Sequence, residues 1–208
     1  MGFEQEREDK AVPEIISQEK LYSGRILDLN LVHVKMPGGA TVVREVIDHH
    51  GSVGILPVTG DGRFLFVRQY RVPAQAALLE LPAGTLEPGE EPDACALREL
   101  AEETGFTASS LRKLAGFYLA PGWATEFMHG YLAEGLSPQH ADGDDDEDIE
   151  VVSLTPEESL AAIRSGEIAD CKSIALIGMF FAEEGQKART QPDPWLGENP
   201  DEEEGVSG

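Results

Sequence analysis

Short runs in which apolar and polar residues alternate fill the first quarter of the chain. The run at residues 27–34 predicts one strand and the run at 41–47 a second, and the Pro-Gly-Gly sequence between them predicts a turn. We therefore expect a small antiparallel β-sheet within residues 14–48.

Two longer β-rich runs follow at residues 52–58 and 63–71, separated by Thr59-Gly60-Asp61-Gly62. Glycine and aspartate in so short a linker favour a tight turn, so the two runs predict a hairpin. Residues 113–120, 126–136 and 150–155 predict further strands.

Three segments have helical patterns. The first begins at Pro92 and stops at Gly105, the second begins at Thr155-Pro156 and runs to about residue 165, and the third covers 171–184. Glu158 completes a capping box with Thr155. Strands and helices mix without strict βαβ alternation, which favours an α+β fold with a mixed sheet between helices.

The composition divides the chain further. Residues 1–13 predict a flexible N-terminus, 14–48 the small β-sheet region, 49–184 the main domain and 185–208 an acidic, disordered tail rich in proline and glycine.

The formal net charge is -23, from 16 basic and 39 acidic residues. Such a charge argues against binding to nucleic acid or to an anionic membrane. No apolar run reaches the roughly 18 residues that a membrane-spanning helix needs, and the charged N-terminus lacks a signal-peptide pattern. Two cysteines, Cys95 and Cys171, suit buried free thiols and a cytoplasmic location.

Three glutamates cluster on the first predicted helix. At about 100° per residue, Glu103 and Glu102 fall about 40° and about 60° to either side of Glu99. The apolar face comprises Ala94, Leu97, Leu100, Ala101 and Thr104. Like charges at this spacing destabilise a helix, whereas Mg²⁺ or Mn²⁺ would be bound by such carboxylates. A solvated acidic face on a very acidic protein remains the alternative.

The spacing around this cluster resembles a known family. Gly84, Glu90, Arg98-Glu99-Leu100, Glu102-Glu103 and Gly105-Phe106 fit the Nudix hydrolase box, G-x5-E-x7-R-E-U-x-E-E-x-G-U, where U is bulky and apolar; nine positions over 23 residues match without a departure. The resemblance implies an α/β/α sandwich and an enzyme that cleaves a nucleoside diphosphate linked to another moiety.

The resemblance also implies roles for the box residues. Glu99 and Glu103 would be the main metal ligands with Glu102 assisting, and Glu90 and Arg98 would form a supporting ion pair. Gly84 would allow a tight turn into the loop. Two or three Mg²⁺ ions are expected, with Mn²⁺ as a substitute.

Residues outside the box resemble the ADP-ribose pyrophosphatase branch. In that branch the carbonyl of the alanine before the box, here Ala83, binds metal, and a proline, here Pro121, stands 16 residues after the last box glycine. Arg44-Glu45 from the N-terminal sheet would help to hold the adenine across a domain-swapped homodimer. Arg68 and Arg71 complete the predicted substrate-binding residues. Surface charge alternating along strands is the alternative for the three arginines.

The implied reaction is hydrolysis of ADP-ribose, or of a related nucleoside diphosphate sugar, to AMP and ribose 5-phosphate. The branch takes its catalytic base from a loop after the box, here Glu147 or, in a second register, Asp145. A noncatalytic Nudix-like module that binds a nucleotide and regulates a partner is the second function class. The intact box argues against it, because such modules usually lose metal glutamates.

Overall fold

The structure is a computed structural model that describes residues 11–139 and 149–190, and this part of the chain forms ten strands and three helices. In chain order they are β1 (Glu14–Ser23), β2 (Leu27–Lys35), β3 (Thr41–His49), β4 (Ser52–Pro57), β5 (Phe64–Arg71), β6 (Ala76–Glu80), β7 (Ala83–Thr85), α1 (Pro92–Thr104), β8 (Phe106–Tyr118), β9 (Phe127–Pro138), β10 (Glu150–Leu154), α2 (Pro156–Ser165) and α3 (Cys171–Thr190).

The first three strands form the predicted N-terminal antiparallel sheet, in the order β1-β2-β3. Strand β3 is hydrogen-bonded to the rest of the chain. The Ile47 N–H donates to Trp123 O (2.8 Å), and the Thr125 N–H donates back to Ile47 O (2.9 Å). All ten residues of β1 are exposed, so this edge strand contributes little buried surface within one chain.

The predicted hairpin of β4 and β5 is wrong. The turn itself forms, with the Thr59 N–H donating to Arg63 O at 2.9 Å, but only one isolated bridge, Val58 to Phe64, joins the two runs. The strands then separate into sheets of order β7-β4-β9-β8 and β10-β5-β6. Both edges of β4 are already paired, with β7 and β9, which leaves no edge for β5.

The four-stranded sheet is mixed, because β4 runs parallel to β9 and antiparallel to β7. Its two faces pack on different helices. Val53 and Ile55 belong to one buried cluster with Leu100 of α1, and Leu56 belongs to a second with Leu176 of α3. Alternate residues of one strand point to opposite faces, so the sheet lies between two helices, as the predicted sandwich requires.

Helix α3 approaches this sheet closely. A Cβ atom at Gly130 would lie 2.2 Å from Leu176 Cδ2, well inside the contact distance of two carbon atoms. A side chain at this position would push the helix away from β9.

Helix α1 has the predicted bounds. Pro92 is its first residue, and Gly105 ends it in the left-handed conformation with φ at 75°. The buried face is rotated from the predicted one: Ala94 is exposed, whereas Cys95 and Ala96 are buried. The helix packs against β4 and β8 and also against β7, and this broader contact buries the extra positions.

The other two helices follow the sequence with one difference. The capping box of Thr155 and Glu158 is present at the start of α2. Helix α3 continues to Thr190, through residues 185–190 that were assigned to the tail. Gln186 and Lys187 are good helix formers, and Lys187 Nζ pairs with Glu184 at 2.7 Å, so Gly185 does not stop the helix.

Of the predicted flexible N-terminus (1–13) and tail (185–208), residues 1–10 and 191–208 lie outside the described residues. Both cysteines are free thiols, but Cys171 is exposed rather than buried. Among the described helices, none combines the length and the apolar character needed to cross a bilayer.

Candidate active site

The Nudix-like box surrounds a cavity of about 390 Å³ between β7, the loop after it and α1. We call it the acid cavity. Its lining contains four glutamates, three arginines and the β7 backbone: Glu87, Glu99, Glu102, Glu103, Arg25, Arg71, Arg98, Ala83, Gly84 and Thr85. The loop reaches α1 because β7 pairs with β4, which places Ala83 opposite Gly54.

Arg98 forms hydrogen bonds with three glutamates at the acid cavity. Its Nε and Nη2 donate to the two carboxylate oxygens of Glu90, both at 2.9 Å. Its Nη1 donates to Glu99 at 2.8 Å and to Glu102 at 3.0 Å. The predicted ion pair of Glu90 and Arg98 is therefore present in bidentate form, the strongest geometry for such a pair.

The pKa values of Glu90 and Cys95 are shifted in opposite directions. Hydrogen bonds from the Arg98 guanidinium lower the pKa of Glu90 from 4.5 to about 2, against the opposing effect of burial. Burial, followed by the nearby Glu90 carboxylate, raises the pKa of the Cys95 thiol to about 12. Glu90 is thus charged and Cys95 neutral near pH 7, so this thiol is not a nucleophile.

Two backbone positions hold the glutamates of α1 close to β7. The Ala83 N–H donates to Glu103 Oε2 at 3.0 Å, and Glu103 is only 7% exposed. A Cβ atom at Gly84 would lie 1.8 Å from Glu99 Oε1. Gly84 is therefore required by the approach of a carboxylate, a sharper reason than the tight turn expected from the sequence.

The donor set of the acid cavity fits a hard divalent cation. Mg²⁺ and Mn²⁺ prefer carboxylate and carbonyl oxygens, and Glu99, Glu102, Glu103 and Ala83 line one space. Across residues 11–139 and 149–190, no three acidic, histidine or cysteine side chains are already arranged as a metal cluster. Arg98 is bonded to oxygens of Glu99 and Glu102, so a cation would compete with the guanidinium for them.

The two arginines of β5 that were predicted to bind substrate lie at different sites. Arg71 lines the acid cavity and forms a bidentate pair with Glu80, whose two oxygens each lie 3.0 Å from it. Arg68 lines a different hollow and pairs with Glu167 at 2.9 Å and Glu150 at 3.7 Å. Within the described chain, only Arg71 of these two reaches the box residues.

The other predicted substrate residues lie away from the acid cavity within one chain. Arg44 and Glu45 are exposed on β3, and Glu45 lines a separate cleft with Trp123. Pro121 begins the exposed turn before Trp123. Glu147 and Asp145, the two candidate bases, lie outside the described residues.

Two residues near the acid cavity were not predicted from the sequence. Arg25 lies in the connection between β1 and β2, and no motif singles it out, yet it lines the acid cavity. Glu80 is 3% exposed and holds Arg71. The available signal for Glu80 was a single acid inside the apolar run Ala77-Leu78-Leu79-Glu80-Leu81, because a buried charge requires a partner.

Comparisons with known proteins agree with this geometry. Residues 48–173 match the family model described as NUDIX domain. The chain is 41% identical over 176 residues to a Bacillus subtilis (strain 168) protein named ADP-ribose pyrophosphatase, covering 84% of this chain and 95% of the relative. It is 38% identical over 174 residues to a Bacillus methanolicus protein named methanol dehydrogenase activator, covering 83% and 94%.

Among solved structures, one described as the crystal structure of ADP compounds hydrolase superposes with a TM-score of 0.76, covering 89% of this chain and all of the other. At 23% identity this likeness concerns the fold alone. The family match spans more than half of the chain and coincides with the box, the sandwich and the acid cavity. The chain therefore belongs to the Nudix hydrolase family.

Proposed function

We propose that this Nudix hydrolase uses water to cleave the pyrophosphate bond of ADP-ribose or a related nucleoside diphosphate sugar; from ADP-ribose the products are AMP and ribose 5-phosphate. The observation that carries the proposal is the lining of the acid cavity, in which Glu99, Glu102 and Glu103 face the same space as Arg25 and Arg71. A diphosphate is bound by a divalent cation together with positively charged side chains. This cavity provides glutamates that can hold the cation and arginines that can contact the phosphates. The name of the Bacillus subtilis relative supports the choice of ADP-ribose.

Glu99 and Glu103 are proposed as the main metal ligands, with Glu102 and the Ala83 carbonyl assisting, for two or three Mg²⁺ or Mn²⁺ ions. Bound Mg²⁺ lowers the pKa of water and stabilises charge on phosphate oxygens. In a protein with a net charge of -23, the cations also offset repulsion between carboxylates and substrate. Arg98 keeps the glutamates oriented, and the Ala83 N–H fixes Glu103.

Arg71 and Arg25 are proposed to bind the phosphates. A guanidinium matches two phosphate oxygens at once, which fixes the orientation of the diphosphate as well as holding it. Arg71 comes from β5 and Arg25 from the N-terminal sheet, so the two approach from different elements.

The proposed general base is Glu147, with Asp145 as the second candidate. A positioned carboxylate that accepts a proton from the attacking water contributes about 10²-fold or more to kcat. Glu147→Gln should therefore lower kcat by about 10²-fold with KM little changed. If Glu147→Gln retains the wild-type rate while Asp145→Asn loses it, the role belongs to Asp145.

A domain-swapped homodimer is proposed as the active form. Ile15, Ile16, Leu21 and Tyr22 of β1 are exposed apolar residues, and an edge strand of this kind is a ready surface for a second copy. In that dimer Arg44 and Glu45 would contact the adenine of the partner's substrate. Light scattering during size-exclusion chromatography tests this, and a monomer at micromolar concentration would refute it.

A substrate panel tests the whole proposal. ADP-ribose, ADP-glucose, NADH, UDP-glucose and 8-oxo-dGTP are each incubated with the protein and Mg²⁺, with a phosphatase added to release phosphate from the products. We expect turnover of ADP-ribose or another ADP sugar and its loss on chelation with EDTA. Absence of turnover on all five would favour the noncatalytic module that regulates a partner. The name of the Bacillus methanolicus relative, methanol dehydrogenase activator, describes a protein that regulates another.

A further inference from the structure

A cluster of four charged side chains, of which Glu80 and Lys172 are buried, adjoins the acid cavity through Arg71. Glu80 Oε1 accepts a hydrogen bond from Arg71 Nε, and Glu80 Oε2 accepts from Arg71 Nη2, both at 3.0 Å. Lys172 Nζ donates to the same Oε2 and, at 2.9 Å, to Asp170 Oδ1. Glu80 is 3% exposed and Lys172 8%, so these charges are largely removed from water.

The cluster joins the acid cavity to the start of α3. Arg71 lines the acid cavity, whereas Lys172 and Asp170 belong to the first turn of α3 and the residue before it. Leu81, the residue after the end of β6, is bound by the same helical turn, because its N–H donates to Ser173 Oγ at 2.8 Å. Two adjacent residues, Glu80 and Leu81, are therefore anchored to one helical turn.

Burial disfavours the charged form of Glu80, yet its carboxyl group stays ionised. Burial raises the pKa of Glu80, but hydrogen bonds from Arg71 and the charge of Lys172 outweigh this effect, and the net pKa is lowered. The carboxylate is thus a fixed anion that binds Nε and Nη2 of the Arg71 guanidinium. An arginine side chain otherwise loses much rotamer entropy when it is ordered by a ligand.

We propose that Glu80, itself held by Lys172 and α3, is a positioning residue that fixes the guanidinium of Arg71 in the acid cavity for the substrate phosphate. This inference rests on the proposed function of Arg71 as a phosphate ligand. Glu80 does not touch the substrate and acts through Arg71.

Glu80 also has an electrostatic effect on substrate binding, opposite in sign to the effect of positioning Arg71, so the two can be distinguished by experiment. Through its field alone, the Glu80 anion repels an anionic substrate, so Glu80→Gln would improve binding if only the field mattered. Positioning predicts a loss instead, because glutamine replaces one of the two acceptor oxygens with an NH2 donor, which cannot accept the second guanidinium N–H. The direction of the change in kcat/KM therefore separates the two effects.

The experiment is a double-mutant cycle of wild type, Glu80→Gln, Arg71→Ala and both together, measured as kcat/KM for ADP-ribose with Mg²⁺. We expect Arg71→Ala to lose about 10–100-fold and Glu80→Gln about 10-fold. In the Arg71→Ala background the further loss from Glu80→Gln should be less than about twofold, because the residue it positions is gone. Equal losses in both backgrounds, or a gain from Glu80→Gln in the presence of Arg71, would overturn the proposal.

Two further variants cover failure to fold and nonspecific damage. Glu80→Asp keeps the charge that Lys172 requires but shortens the side chain, and it should lose activity in the same Arg71-dependent way. Glu183→Gln is the matched control, because Glu183 forms a bidentate pair with Arg112 (3.2 and 2.8 Å) between α3 and β8, away from the acid cavity. Its kcat/KM should stay within about twofold of wild type.

Failure of the proposed function is distinguishable from failure of this inference. If the wild type hydrolyses no substrate, the proposed function falls, and the same cycle is measured as the Kd for α,β-methylene-ADP-ribose by calorimetry. Coupling of Glu80 and Arg71 in that Kd would support the positioning role without catalysis. Additive effects, or no binding by the wild type, would overturn it.

Discussion

The substitution Gly84→Ala separates activity from stability. An added Cβ at Gly84 would lie 1.8 Å from Glu99 Oε1 and 1.9 Å from Glu99 Cδ. A non-bonded carbon needs about 3 Å or more from these atoms, so the carboxylate must move by about 1 Å or more. Glu99 is a flexible side chain, and it can give way without displacement of the backbone.

Gly84→Ala should therefore lower the free energy of unfolding only slightly and lower the reaction rate strongly. Glu99 loses its 2.8 Å pair with Arg98, which contributes about 0–1 kcal/mol for a partly exposed pair, and a strained rotamer adds about 0.5–1.5 kcal/mol. A total of about 0.5–2.5 kcal/mol lowers Tm by about 1–10 °C in a chain of this size. Displacement of a catalytic group by about 1 Å costs about 10²-fold in rate.

The assay pairs kcat/KM for ADP-ribose at saturating Mg²⁺ with Tm from calorimetry. Gly60→Ala is the matched control, because its added Cβ meets no atom within 4 Å, and it should change neither quantity. Glu99→Gln should give a loss of rate similar to that of Gly84→Ala. A Gly84→Ala protein with wild-type kcat/KM would refute the assignment of Glu99 as a metal ligand held against β7.

Three further changes test other parts of the structure. Arg25→Ala should raise KM for ADP-ribose about 10-fold through loss of a charged hydrogen bond, with Tm unchanged; an unaltered KM would remove Arg25 from the site. Because the pKa of Glu90 is lowered from 4.5 to about 2, its pair with Arg98 stabilises the fold fully above about pH 4.5 and loses this effect as pH falls through about 2. The Tm difference between wild type and Glu90→Gln should follow that course, and a constant difference from pH 7 to pH 2 would contradict it. Gly178→Ala in α3, where a Cβ meets no atom within 4 Å, should add about 0.5–1 kcal/mol to the free energy of unfolding in urea, and a loss of stability would show a hidden contact.

Local patterns predicted local structure well. The bounds of α1 follow from Pro92 and Gly105, and the capping box of Thr155 and Glu158 starts α2 where expected. The spacing of the box also brings Glu90 to Arg98, because one turn and one helix determine their approach. These features depend on residues close in sequence, and propensity and capping determine them.

Features that depend on distant residues were not predictable. Partner choice for β4 is decided by β9, more than 70 residues away, and alternation within the run at 52–57 cannot reveal it. Arg25 has no sequence context that distinguishes it from a surface arginine, and only the tertiary approach of its turn to the box gives it a role. Glu80 was detectable as an acid in an apolar run, but its partner Lys172 is 92 residues further along.

Strand β1 has a consequence for how the protein should be handled. Within a single chain β1 is held by its ladder with β2, but its ten residues are all exposed, so the proposed second copy would supply the buried surface that this strand otherwise lacks. Mass action then makes its order depend on dilution. Kinetics at nanomolar enzyme would report on a chain with a loosened first sheet, and Arg25, two residues after that strand, would be loosened with it.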